Sequence, residues 1–190
     1  ARPIADARKW VLRYRRADMA VVVDPVSTAP GAVAAGLVLI EMGHSYGGNF
    51  VPGVGIAGVA VMPEARGRGT ATFLMDRTVQ HLHRRGAVLT GLYPATQALY
   101  RRSGYEQAGH RCLLRTPLHR LPTTERSATV RPATERDTPE IRRLYDLWAR
   151  ATDGALGRYE DLWRRNEMIP PMREEKARCF VVEGARPSKR

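Results

Sequence analysis

Residues 59–72 constrain the fold of this 190-residue chain most, because they indicate a buried strand that passes through a glycine-rich turn into a helix. The first three residues of the segment, Val-Ala-Val, continue an apolar run and predict a strand over residues 53–61. From Ala71 to Leu82, apolar residues recur at the spacing of one helix face. A strand, a turn and a helix in this order predict an anion-binding backbone at the turn.

The turn has the composition expected of a phosphate-binding loop. Gly67 and Gly69 let the backbone approach a ligand closely, and the first N–H groups of a helix have no acceptor inside it. Arg66 and Arg68 add positive charge where the helix dipole already favours an anion. The turn is not a Walker A loop, because it has no Gly-Lys followed by Ser or Thr. It is not a dinucleotide-binding fingerprint either, because Thr72 stands where that motif has a third glycine or an alanine. The alternative is an ordinary turn with solvated arginines.

A second motif follows one strand later. Gly86 marks the end of the helix, and residues 87–93 predict the next strand. After it comes Leu99-Tyr100-x-x-x-Gly104-Tyr105. This pattern resembles an acetyltransferase signature in which a short helix carries a tyrosine beside a thioester sulfur. Tyr100 is therefore a candidate general acid, because a phenol can protonate a departing thiolate. The alternative for both tyrosines is a core aromatic, and for Tyr105 we prefer that alternative.

The two motifs, in this order and separation, resemble those of the GNAT superfamily of N-acetyltransferases. The resemblance implies the GNAT fold, an α/β (α+β) architecture with a mixed, mostly antiparallel sheet flanked by helices. It also implies acetyl-CoA as co-substrate, without a metal. The implied cofactor-binding residues are Val59, Ala60 and Val61 for the pantetheine arm, Arg66, Gly67, Arg68, Gly69, Thr70, Ala71 and Thr72 for the pyrophosphate, and Ala95 and Thr96 for the thiol end.

Within the superfamily, the chain resembles the enhanced intracellular survival type of acetyltransferase. Residues 92–105 match that group's tyrosine segment, and residues 130–148 resemble the start of its second acetyltransferase-like domain. This narrower resemblance implies acetyl transfer to a primary amine of an aminoglycoside or polyamine, with a protein lysine as a further acceptor, and assembly as a hexamer. The alternative is a non-catalytic acyl-CoA-binding or assembly module with the same fold.

The general base is harder to place. Many acetyltransferases carry a glutamate on the strand before the phosphate loop, but residues 53–61 contain no acid. The resemblance implies a C-terminal carboxylate delivered by a third domain, which we expect to lie outside this chain. Glu41 and His44 are the nearest alternatives, and the ordinary pKa of histidine favours His44, but residues in such positions are more often simply solvated.

Domain organisation follows from the positions of the motifs. We expect an acetyltransferase domain over residues 1–117, a linker over 118–127 and an incomplete second domain over 128–190. Acetyltransferases normally begin with a further strand and helix, so we expect the front end to be missing and the chain to be a fragment of a longer protein. The incomplete second domain predicts exposed apolar side chains at Leu144, Leu147, Trp148, Leu162 and Trp163.

The charge does not indicate a nucleic-acid partner. Lys and Arg number 31 against 19 Asp and Glu, but the arginines are scattered and no DNA-binding motif accompanies them. Cys112 and Cys179 lie in predicted strands of different domains and form no pattern, which favours a reduced, cytoplasmic setting. The apolar run over residues 33–40 is too short to span a bilayer, and His81 and His83 are poorly spaced for a metal.

Overall fold

A computed structural model describes residues 4–24, 31–110, 112–120, 128–165 and 179–183 of the chain. The helices are α1 Ile4–Val11, α2 Thr70–Arg84, α3 Gln97–Arg102, α4 Thr138–Arg150 and α5 Glu160–Arg165. The strands are β1 Met19–Val23, β2 Val33–Tyr46, β3 Asn49–Val61, β4 Leu89–Leu92, β5 Thr129–Pro132, β6 Leu156–Gly157 and β7 Phe180–Glu183. None of the helices described is both long and apolar enough to cross a membrane.

The main sheet has the strand order β1-β2-β3-β4, and β6 also pairs with β2. Neighbours are antiparallel except β3 and β4, which run parallel because α2 connects them across one face. The predicted mixed, mostly antiparallel sheet flanked by helices is confirmed.

The core lies between this sheet and α2. Leu74, Met75 and Leu82 are buried on α2 and pack against alternate residues of β2, including Leu37 and Leu39. The α2 residues recur at helical spacing and the β2 residues at every second position, as expected of a helix packed on one face of a sheet. The core thereby fixes α2 on the sheet, and with it the turn at the helix N-terminus.

A bulge in β3 changes which side chains face the core. Val54 and Ile56 belong to the core, whereas further along the strand Val59 and Val61 pack against it. The inward-facing positions change from even to odd residue numbers at the bulge around Gly58, where φ is +61° and the pairing register with β2 shifts. A side chain at Gly58 would also meet the ring of Trp10. The bulge therefore redirects the end of β3 just before the glycine-rich turn.

The chain divides into two compact units. The first comprises residues 1–106 and 147–162, and the second residues 107–146 and 163–190. In the second unit β5 pairs antiparallel with β7. The domain boundaries expected from the sequence stay a prediction, and residues 121–127 of the expected linker lie outside the described part of the chain.

Some sequence predictions need correction. Cys112 is exposed and lies outside any strand, because no neighbouring strand pairs with that segment in the part of the chain described. Leu162 and Trp163 are buried, at 5% and 4% exposure, although we expected them to be exposed. Trp163 is covered by the edge of Tyr145, 5.4 Å between ring centroids, and by the guanidinium of Arg142. Leu144, Leu147 and Trp148 are exposed as expected.

Candidate active site

The glycine-rich turn joins the end of β3 to the first residue of α2. Gly67 and Gly69 have φ values of +73° and +78°, which L side chains rarely adopt. Gly69 is the N-cap of α2, and its carbonyl accepts the first helical hydrogen bond from the N–H of Phe73 at 2.9 Å. The N–H groups of Thr70, Ala71 and Thr72 therefore precede the first donor of the helix and are available to a ligand.

The outer side of the turn is open. Apart from chain neighbours, no heavy atom lies within 4 Å of a Cβ built on Gly67 or on Gly69. Arg66 and Arg68 are exposed beside them, and the first turn of α2 contains no acidic residue. Helix dipole and side chains thus combine to favour an anion at this position.

Two side chains brace the turn from within. The Nε of Arg66 donates to the carbonyl of Val61 at 3.2 Å, and the hydroxyl of Thr70 donates to the carbonyl of Ala65 at 2.8 Å. The Arg66 guanidinium and the Thr70 hydroxyl therefore help to hold the loop, a role that the sequence pattern alone did not reveal. The N–H of Arg66 already donates to the carbonyl of Pro63 at 3.3 Å, so a phosphate contact would use the charge of Arg66 and the backbone N–H of Thr70.

Beside the turn, β3 continues past the end of β4. The parallel pairing runs from Gly53 opposite Leu89 to Ile56 opposite Leu92, where β4 ends. Residues 57–61 extend further, and this stretch contains the predicted pantetheine-binding residues Val59, Ala60 and Val61. On the side of β3 where β4 no longer pairs with it, an extended ligand can hydrogen-bond to the strand backbone. Ala95 and Thr96 are exposed in the segment between β4 and α3.

Tyr100 lies on the short helix α3 and is only 7% exposed. It belongs to the core cluster that also contains Leu74 and Met75 of α2. Burial raises the pKa of its phenol above the ordinary value, so the hydroxyl keeps its proton at neutral pH. Tyr100 therefore packs as the core aromatic that we considered as an alternative. Its phenol also keeps the proton that a general acid must donate.

Sequence reasoning missed four residues in and around α3, or predicted only that they pack: Tyr105, Thr90, Ser103 and Asp76. The ring of Tyr105 meets that of Tyr100 nearly edge-on, with 6.4 Å between centroids. The hydroxyl of Thr90 on β4 donates to the Tyr105 hydroxyl at 2.8 Å. The hydroxyl of Ser103, directly after α3, donates to Asp76 on α2 at 2.6 Å. Ser103 occupies a variable position of the tyrosine motif, so the motif carries no signal for it.

Glu41 and His44, the two alternatives for the base, differ in their surroundings. Both lie within β2. Glu41 forms an exposed ion pair with Arg85, at the opposite end of α2 from the glycine-rich turn. His44 lies 3.8 Å from a Cβ built on Gly91 of β4, and its Nδ1 is buried without a hydrogen-bond partner in the described structure. Burial lowers the pKa of His44.

Comparison with known families agrees with this geometry. The family model described as an acetyltransferase (GNAT) domain matches residues 2–108. The chain belongs to the GNAT family. The family is one of acyltransferases, which take the acyl group from an acyl-CoA. No curated protein sequence matches the chain.

Solved structures give the same fold for this GNAT chain. A GCN5-related N-acetyltransferase from Anabaena variabilis is 33% identical, with a TM-score of 0.75 over 85% of this chain and 40% of its own. One from Kribbella flavida is 26% identical, with a TM-score of 0.67 over 95% of this chain and 44% of its own. Eis1 from Mycobacterium abscessus is 21% identical, with a TM-score of 0.56 over 83% of this chain and 41% of its own. At this identity the similarity shows a shared fold and nothing further. The chain spans less than half the length of these proteins.

Proposed function

We propose that this GNAT chain supplies the acetyl-CoA site and the general acid of an N-acetyltransferase that acts on a primary amine. The observation that supports it is the open turn at Gly67 and Gly69, which adjoins the part of β3 that runs past β4. In this proposal the turn and the N-terminus of α2 bind the pyrophosphate through backbone N–H groups. Residues 59–61 then hydrogen-bond to the pantetheine arm, and Ala95 and Thr96 line the thiol end.

The reaction moves one acetyl group. The neutral amine attacks the thioester carbonyl carbon, a C–N bond forms, and the C–S bond breaks. The departing CoA thiolate takes the proton of the Tyr100 phenol, which later regains a proton from solvent. The amine attacks in its neutral form, so the ammonium of the acceptor must first lose a proton to a general base.

The acceptor and the assembly rest on the resemblance to enhanced intracellular survival proteins. We propose an aminoglycoside or polyamine amine as acceptor, with a protein lysine as a further one, and a cytoplasmic homo-oligomer, a hexamer by resemblance. The alternative to an enzyme is a non-catalytic acyl-CoA-binding or assembly module with the same fold. CoA binding without turnover on any amine would favour that module.

Turnover of acetyl-CoA with a panel of aminoglycosides and polyamines tests the proposal, with CoA release as the readout. Tyr100→Phe should lower kcat by about 100-fold, because it removes the proton donor while leaving the ring in the core. Tyr46→Phe, on an exposed tyrosine at the end of β2, is the matched control. Unchanged turnover in Tyr100→Phe would show that the acid assignment is wrong.

CoA binding measured by calorimetry tests the cofactor site separately. Binding to the parent chain is expected with every amine absent, because the turn, β3 and α2 all lie in the described first unit. If CoA fails to bind, both the enzyme and the binding module are excluded. Salt-sensitive DNA binding that CoA leaves unchanged would instead favour a nucleic-acid partner.

A further inference from the structure

The helix that carries Tyr100 depends on its neighbours for its position. α3 has six residues, well below the length at which an isolated helix is stable in water. Its N-cap residue, Thr96, makes no side-chain capping hydrogen bond. Tertiary contacts must therefore hold α3 in place, and they decide where the Tyr100 hydroxyl lies.

One of these contacts joins α3 directly to the helix that begins at the glycine-rich turn. The hydroxyl of Ser103, the C-cap residue of α3, donates to the Asp76 carboxylate of α2 at 2.6 Å, and the pair is partly buried. A hydrogen bond to a carboxylate is short and stronger than one between neutral groups. The N–H of Ser103 donates to the carbonyl of Tyr100 at 3.0 Å, so the hydroxyl is linked through one backbone bond to the proposed acid.

Asp76 is also rigidly connected to the phosphate turn. It lies on α2, whose first residue is Thr70, so about 9 Å of helix separate the two along the axis. Leu74 and Met75, beside it in the helix, are buried in the core and keep that part of α2 fixed. A group attached to Asp76 therefore keeps a constant distance from the first N–H groups of the helix.

We infer that Asp76 and Ser103 are positioning residues that set the distance between the phosphate turn and the Tyr100 hydroxyl. This inference rests on the proposed function, in which the turn holds the pyrophosphate and the phenol protonates the thiolate. A thioester held at one end by its phosphates meets the phenol correctly only if the two helices are in register. Displacement of about 1 Å at a reacting group can lower a rate by up to roughly 100-fold.

The test compares Ser103→Ala and Asp76→Ala, each of which removes one partner of the hydrogen bond, with the parent chain, using the amine from the panel that gives the highest turnover. Both variants should lower kcat about tenfold while the KM for acetyl-CoA changes less than about twofold, because the turn itself is intact. Ser103→Thr keeps a hydroxyl and should restore most of the rate. Arg101→Ala is the matched control, because it removes an exposed ion pair with Glu106 next to the same helix.

A combination with Tyr100→Phe separates positioning from general destabilisation. If Ser103 acts through the phenol, Ser103→Ala should add almost nothing to the loss already caused by Tyr100→Phe. Full additivity, or an unchanged kcat in both single variants, would overturn the inference. These outcomes leave CoA binding and turnover by the parent chain unaffected, so they are distinct from failure of the proposed function.

Amide hydrogen exchange supplies a readout that needs no acceptor. Ser103→Ala should accelerate exchange in α3 by about fivefold or more relative to α2, because the anchor between the helices is lost. Arg101→Ala should leave the ratio of exchange rates unchanged. Equal acceleration in both helices would indicate loss of global stability alone and would contradict the positioning role, even in a chain without turnover.

Discussion

The hydroxyl of Thr90 on β4 donates a 2.8 Å hydrogen bond to the hydroxyl of Tyr105, which follows α3. Burial raises the pKa of Tyr105, and the hydrogen bond to Thr90 partly offsets that effect. The N–H of Tyr105 also donates to the carbonyl of Tyr100 at 3.1 Å. Tyr105 thus connects the tyrosine helix to the parallel strand, as Ser103 connects it to α2.

Tyr105→Phe should lower the free energy of unfolding by about 1 kcal/mol, because a partly buried hydrogen bond is lost while the ring contact with Tyr100 is kept. Urea denaturation measures the change. Thr90→Val is the companion variant, and the double variant should cost less than the sum of the two, since both remove the same bond. Tyr93→Phe, on an exposed tyrosine, is expected to have no effect. Strict additivity of the two losses would contradict the coupling.

The acidity of Tyr100 should appear in the pH dependence of turnover. Because burial raises the pKa of the phenol above its ordinary value, the midpoint of the alkaline limb should lie above about pH 10. A kcat profile with an alkaline limb below pH 9 would therefore report a different group. Tyr100→Phe should remove the limb that belongs to the phenol, and Tyr46→Phe should leave the profile unchanged.

Much of this geometry follows from local sequence patterns. The strand, turn and helix over residues 53–84 were predictable because alternation, positive-φ glycines and helical spacing are local properties. Gly86, with φ at +75°, ends α2 as expected. The bond between Asp76 and Ser103 joins residues 27 positions apart and depends on tertiary packing, which no local pattern encodes. For the same reason the burial of Trp163 by Tyr145 and Arg142 could not be read from the sequence.

The left-handed backbone at Gly69 gives a direct test of the phosphate turn. Gly69→Ala should destabilise the fold by about 1 kcal/mol, because φ is +78° there, and should weaken CoA binding by about tenfold as the turn rearranges. Gly154→Ala is the matched control, with φ at +81° and equally open surroundings away from the turn. It should lose similar stability and keep its CoA affinity. Calorimetry and urea denaturation separate the two effects, and equal CoA affinities in both variants would contradict the site.

His44 should make stability depend on pH. Burial lowers the pKa of His44 in the folded protein, whereas the unfolded chain takes up a proton near pH 6.5. Below that pH the unfolded state binds more protons, so the free energy of unfolding decreases as pH falls from about 6.5 through the folded pKa. His44→Gln should flatten this slope. His83→Gln, on an exposed side chain of α2, should leave it unchanged, and a slope that survives His44→Gln would assign it to another group.

Arg131 organises the second unit through two carboxylates. Its guanidinium lies 2.7 Å from Oδ1 of Asp137 and 2.7 Å from Oε1 of Glu183, and Asp137 also accepts from the N–H of Thr134 at 2.8 Å. The hydrogen bond from Arg131, and next the one from the N–H of Thr134, hold the pKa of the Asp137 carboxyl well below its usual range. Stability from this group is therefore present above the unfolded pKa of about 3.9 and is lost as pH falls toward the folded value.

Asp137→Asn should remove that pH dependence, because an amide cannot titrate in this range. Hydrogen exchange of the amides in β5, followed between about pH 5 and pH 2, measures it. In the parent chain, protection should fall on acidification after correction for intrinsic exchange. The variant should start with lower protection and change less. Glu135→Gln, in the same turn and not bonded to Arg131 in the described structure, is the control, and it should follow the parent. Parallel curves for Asp137→Asn and the parent would mean that another carboxylate governs the acid response of this unit.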